Sequence, residues 1–266
     1  MQNKHNATKL TLKEHEIHLW QTAPQDIHDS ALLERYSSLL TDDERQKQQR
    51  YIFEKDQHSA LITRAFVRDL LSHYCNIDPE NWRFSRGEHG KPEVLNAPIP
   101  IRFNLSHTKN LIICAVTLEH DIGCDVEYMK GDNKVLDIAV RFFSAQEIKA
   151  LFTQPKNKQR SRFFDYWTLK ESYIKAWGKG MAIPLSDFSF KIGHPDSPLR
   201  NDDIQLDFSD HREGQPTHWR SWLFYPNDTH RIAVSLRKPI ETPELNAYRF
   251  RFFKSEPLHG YEAIDL

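Results

Sequence analysis

The strand-like stretch "IGCDVE" at 122–127 carries Asp125 and Glu127 two residues apart. A strand sends alternate side chains to opposite faces, so both carboxylates share a face with Gly123 while Cys124 and Val126 share the other. Two acids at that spacing read more simply as a solvated face than as a metal site, and like charges disfavour each other unless a cation separates them. A third acid, Glu171, lies within "FFDYWTLKESYIKAWGKG" at 163–180. On a helix advancing ~100° per residue it falls inside the arc of Phe163, Phe164, Trp167 and Ile174, where an unpaired carboxylate is costly. Lys175, four residues on, offers an ordinary helix ion pair. Asp125, Glu127 and Glu171 together offer an oxygen site suited to magnesium, which takes a few carboxylates and leaves positions for water and phosphate.

Phosphate oxygens would need further partners, and the chain has several at turns and strand ends. "FNLSHT" supplies Ser106 and His107 as hydroxyl and imidazole groups. "HGKPE" presents Lys91 and Pro92 on a turn, and Lys47 and Arg64 lie on two helix-like stretches. Each has an everyday structural use as well: a capped turn, a solvated loop lysine, a surface cation on a helix.

The elements that must position these groups follow from periodicity. "TDDERQKQQRYIF" opens as a capped helix, with Thr41 as N-cap and Glu44 three residues later. "DQHSALITRAFVRDLLSHY" continues as a second helix, with Leu61, Ala65, Leu70 and Leu71 in its apolar stripe. Strand-like "NWRFSR", "IRFNLSH" and "LIICAVTL" come next, separated by turns. The second half repeats that order: helical "SRFFDYWTLKESYIKAW", then "DFSFKI", "WRSWLFY" and "HRIAVSL". Element order alone thus suggests a weak internal duplication. The halves meet near "TLEHDIGCDVEY", where Glu119 to Asp121 read as a hairpin turn, residues 192–218 read as a polar loop, and a basic-aromatic tail without clear period follows Lys238.

Composition bounds the answer without selecting it. The chain has 266 residues, 39 % hydrophobic and 27 % charged, with a formal net charge of -1. No overall field therefore attracts nucleic acid or an anionic membrane, and an anionic ligand must be held by local cations. The opening "MQNKHNATKLTLKEHE" lacks a signal-peptide core and "LIICAV" is too short to span a bilayer, so a cytoplasmic protein is expected. Cys75, Cys114 and Cys124 lack metal-ligand spacing and read as reduced, buried thiols.

In order along the chain, "HGKPE", "FNLSHT", "IGCDVE", "RFFSAQEI" and "WTLKESYIKAWGKG" resemble the motif series of the 4'-phosphopantetheinyl transferases, in the larger monomeric surfactin-synthetase-activator type. The resemblance implies an α+β pseudo-dimer of two similar lobes, each a small antiparallel sheet with a long helix, here residues 1–119 and 120–238 followed by an extension at 239–266. It implies transfer of the phosphopantetheine arm of coenzyme A to a serine of an acyl or peptidyl carrier protein, with release of adenosine 3',5'-bisphosphate. Carried over by motif, Asp125, Glu127 and Glu171 hold magnesium, with manganese as the alternative. Glu147 of "FFSAQE" takes the serine proton, although it also reads as a first-turn acid behind a Ser144 cap. Lys175 contacts phosphate and steadies the departing oxygen. Lys47, Arg64, Lys91, Pro92, Ser106, His107 and Lys170 contact coenzyme A, while Lys179, Met181, Ile183 and Leu185 meet the carrier. Glu44 departs from relatives that carry a basic residue there, which weakens the expected grip on the 3'-phosphate. Two rival readings use the same residues: a magnesium-dependent phosphodiesterase, disfavoured by the lack of a basic-aromatic stripe near the acids, and a non-catalytic coenzyme A or carrier-binding module.

Overall fold

The computed structural model describes residues 9–265 apart from 88–89, 132–133, 179, 181–182, 196, 211, 213 and 239–247. The chain starts with strand β1 (Glu16–Thr22) and helices α1 (Ser30–Ser38), α2 (Asp42–Gln49) and α3 (Glu54–Ser72). A short hairpin, β2 (Phe84–Arg86) with β3 (Pro92–Val94), leads to β4 (Ile101–Thr108), β5 (Leu111–Leu118) and β6 (Ile122–Tyr128). Helices α4 (Val135–Phe142), α5 (Ala145–Phe152) and α6 (Lys156–Trp177) follow. The remainder is β7 (Phe188–Ile192), β8 (Arg200–Asn201), β9 (Ile204–Phe208), β10 (Trp219–Phe224), β11 (His230–Arg237), β12 (Arg249–Glu256) and β13 (Gly260–Ile264).

The two halves share one topology, which gives the suggested duplication a physical form. In the first, β1 precedes the long helix α3, a two-stranded excursion, and the antiparallel pair β4 and β5, with the sheet running β1-β5-β4. In the second, β6 precedes α6, the two-stranded β7 and β9, and the pair β10 and β11, with the sheet running β6-β11-β10.

Period-2 burial stacks these parts into four layers. On β5, Ile112, Cys114 and Val116 face the core under α3, which includes Leu61, Ala65 and Leu70, while Ile113 and Ala115 face the other sheet. There they meet Ile122, Cys124 and Val126 of β6, Trp222 of β10 and Val234 of β11. The far side of the second sheet, with Leu223 and Ala233, packs under α6 against Leu169 and Tyr173. A strand buried on both faces needs no polar alternation, which is why "LIICAVTL" reads as one apolar run.

Three expectations change. Glu119 to Asp121 is not a hairpin turn: β5 and β6 belong to different sheets, and the chain crosses between them with Glu119 at φ 62°. Residues 192–218 contain β8 and β9, and β9 pairs antiparallel with β7. The extension beyond Lys238 contains β12, which adds in parallel to the outer edge of β1 (Glu16 opposite Arg249), and β13 pairs with β12. Its Phe253 is buried against Trp20, with ring centroids 4.5 Å apart.

Candidate active site

Strand β6 presents Gly123, Asp125 and Glu127 to α6 while its alternate residues fill the inter-sheet core. Gly123 sets how closely the helix approaches, because a Cβ there would collide with the Ser172 carbonyl and the Ala176 amide. Helix α6 ends where Gly178 turns left-handed at φ 76° and its N–H bonds back to the Ile174 carbonyl. Phe163, Phe164, Leu169 and Tyr173 are buried in the second lobe, whereas Trp167, Glu171 and Lys175 remain half-buried along a cleft-facing edge. Glu171 is thus at the rim of the aromatic core rather than inside it.

Asp125 is 4 % exposed. Its Oδ1 accepts from Lys175 Nζ at 2.6 Å and from Ser106 Oγ at 2.9 Å, while its buried Oδ2 has no hydrogen-bond partner. Glu127 Oε1 accepts from Trp167 Nε1 at 3.0 Å. Burial, followed by the Asp125 charge, pushes the Glu127 carboxyl up to about 7, against the pull of Trp167 and Lys175. Burial and Asp125 likewise raise Glu171. Burial works to lower Lys175, but Asp125 and its neighbours outweigh it and the ammonium is held above its ordinary value.

Three acids crowd here with one lysine as counter-charge. Among the described residues, no three His, Cys, Asp or Glu side chains stand together as a ready metal cage. The donor set nevertheless fits a hard divalent cation: all oxygens, one of them on Asp125 buried without a partner, with Glu127 and Glu171 raised by burial and by the Asp125 charge.

Cavities flank this cluster. A cleft of about 430 Å³ lies between α2, α3 and β4, lined by Lys47, Arg50, Tyr51, Arg64, Arg86 and His107 together with Glu44 and Asp56. Glu44 is spent internally, forming the capping box with Thr41 and an ion pair with Arg68 at 2.8 Å. Burial lowers Arg64 against the opposing pull of Glu44, and Arg86 and Arg68 push the same way as burial, so like charges crowd the cleft. Burial and Lys175 also lower His107, which keeps its imidazole neutral near pH 7. A second cavity of about 270 Å³ is lined by Lys91, Pro92, Leu105, Glu171, Ile174, Lys175 and Gly178. The Lys91 ammonium meanwhile donates to the Ile122 and Ala176 carbonyls at 3.0 and 3.2 Å, tying the end of α6 to the start of β6.

Several expected site residues are committed elsewhere. Lys170 and Glu147 form an ion pair at 2.8 Å, with side chains 0 % and 1 % exposed. Lys170 also donates to the Leu185 and Phe188 carbonyls, and burial lowers its pKa against Glu147. Glu147 accepts from the Ser144 amide and hydroxyl and from the Phe190 amide, so its Ser144-cap reading describes the geometry. Neither group reaches the cleft. Ile183 is buried in the second core, which removes it from a carrier-facing surface, while Leu185 packs half-buried against that core. Lys179 and Met181 lie outside the described residues. Arg50 and Arg86, unremarked in the sequence, join the cationic cleft, because a single chain shows two distant arginines as ordinary surface charge.

Comparison with known proteins matches residues 121–235 to the 4'-phosphopantetheinyl transferase superfamily and residues 18–119 to a 4'-phosphopantetheinyl transferase N-terminal family. The chain is 37 % identical over 166 residues to the 4'-phosphopantetheinyl transferase Sfp of Bacillus subtilis, covering 62 % of this chain and 72 % of that protein. It is 35 % identical over 175 residues to HetI of Nostoc sp., covering 65 % and 73 %, and 30 % identical over 207 residues to psf-1 of Bacillus pumilus, covering 78 % and 83 %. With two lobes of one topology, three acids at their junction and these matches on both halves, the chain belongs to the 4'-phosphopantetheinyl transferases.

Proposed function

We propose that this chain moves 4'-phosphopantetheine from coenzyme A to a carrier-protein serine, with magnesium held by Asp125, Glu127 and Glu171. One observation carries the reading: Asp125 is 4 % exposed with a partnerless Oδ2, near two carboxylates whose pKa values are raised, and is bonded to Lys175, which with Glu171 lines the second cavity. Lys47 and Arg64, with Arg50 and Arg86, bind the terminal phosphate in the cleft, and neutral His107 at its inner end donates to a phosphate oxygen. Lys175, cationic throughout the neutral range, orients the pyrophosphate and stabilises the departing oxygen. When bound, the metal supplies charge neutralisation along the pyrophosphate. With Glu147 enclosed, the serine proton passes to the carboxylates that face the cleft. Lys91 keeps α6 and β6 together and lines the second cavity.

The test is intact mass spectrometry of apo carrier proteins incubated with the full chain, coenzyme A and magnesium, alongside chelator and Asp125→Ala controls. A gain of the phosphopantetheine mass that both controls abolish is expected. Free phosphopantetheine with unmodified carriers would point to a phosphodiesterase. Bound coenzyme A without any transfer would point to a binding module.

A further inference from the structure

Among the described residues, β4 and β6 run side by side without backbone pairing, as they belong to different sheets. Side chains take the place of that ladder. Asn104 Oδ1 accepts from the Cys124 amide at 2.9 Å, Ser106 Oγ from the Val126 amide at 3.2 Å and Thr108 Oγ1 from the Tyr128 amide at 3.2 Å. Both strands advance two residues per rung, so successive outward N–H groups of β6 meet successive polar side chains of β4. A free sheet edge is thereby satisfied and held at one register.

The middle rung reaches the acids. Ser106 Oγ accepts from Val126 and from Lys175 Nζ at 2.9 Å, and donates its own proton to Asp125 Oδ1 at 2.9 Å. One donation and two acceptances complete a hydroxyl's capacity. Ser106 is 5 % exposed, and all of that capacity is used within the protein.

We propose that Asn104, Ser106 and Thr108 are positioning residues: their side-chain ladder sets β6 against β4, so that Asp125 and Glu127 meet Glu171 and Lys175 at the right height. Ser106 orients Asp125 and Lys175. The assignment of a metal to these acids rests on the reading given under the proposed function. Removing an acceptor leaves a buried N–H unpaired and lets the strand slip. Groups that orient metal ligands in this way commonly govern metal affinity.

The test is a titration of the full chain with Mn2+ in the absence of coenzyme A, read by the electron paramagnetic resonance of free Mn2+, with coenzyme A kinetics run in parallel. Thr108→Val, which keeps the shape and loses the acceptor, is expected to weaken Mn2+ binding about tenfold, and Thr108→Ser to restore most of it. Ser106→Ala is expected to weaken Mn2+ binding and, through the displaced Lys175, to raise the KM for coenzyme A. Wild-type Mn2+ affinity in Thr108→Val or in Ser106→Ala would overturn the proposal. Should the wild-type chain itself take up no Mn2+, the metal reading falls and hydrogen exchange at the Tyr128 amide decides the ladder. Faster exchange in Thr108→Val than in Thr108→Ser upholds it, and equal rates refute it.

Discussion

Lys170 and Glu147 show how a side chain's surroundings decide what it can do. Each is a charge withdrawn from water, and each is compensated almost entirely by the other and by backbone groups of Ser144, Leu185, Phe188 and Phe190. Removing one partner strands the other, which typically costs about 3–5 kcal/mol. Glu147→Gln and Lys170→Met should therefore shift the denaturant midpoint strongly, and the folded fraction should keep its KM for coenzyme A and most of its turnover. The Glu147→Gln/Lys170→Met double variant should recover part of the stability. Equilibrium unfolding beside steady-state kinetics checks this, and lost turnover at wild-type stability would return Glu147 to the role of proton acceptor.

Elements set the reach of those residues, and Gly123 is where two of them touch. Gly123→Ala must push α6 from β6 or bend the strand, because the obstructing atoms are backbone. Overpacking of this kind costs about 1–3 kcal/mol. The loss of activity should exceed what that destabilisation alone produces, since Asp125 lies on the strand and Glu171 and Lys175 on the helix; thermal unfolding compared with turnover separates the two effects. The alternation that placed Gly123, Asp125 and Glu127 on one face was legible because a strand's period is local. So was the Thr41 capping box. The Ser144 cap of Glu147 was legible too, but its bond to Phe190 and the commitments of Lys170 and Ile183 were not, because those partners lie on β7, on the segment before it or across the second core. Strands β1 and β12 escaped for the same reason. Each has a partner at the opposite end of the chain, β1 on β12, and the alternation of "EIHLWQT" is too short to stand out.

At the scale of the molecule, the seam between the first lobe and the C-terminal strands carries a titration. His18 of β1 is fully buried, bonded through Nδ1 to the Tyr74 hydroxyl and packed 5.2 Å from the Phe253 ring of β12. Burial, aided by Arg251 and opposed by Glu16, lowers its pKa to about 4. The fold thus holds a neutral imidazole, and between about pH 6.5 and 4 the unfolded chain takes up a proton that the folded chain refuses. Stability present above pH 6.5 should then be lost as pH falls, by about 3 kcal/mol through this group. Denaturation at pH 7 and pH 4.5, with His18→Gln as comparison, should show a smaller pH-dependent loss in the variant. A parallel slope in both proteins would place the acid sensitivity elsewhere.

Because β12 docks on β1, the first lobe borrows a strand made only after the whole second lobe has been synthesised. Until then β1 offers a bare edge and Trp20 lacks its stacking partner Phe253. The nascent chain therefore passes through a long interval in which its earliest strand is open to unintended pairing. Closure between opposite ends of the sequence should make the final folding step slow relative to formation of either lobe's helices.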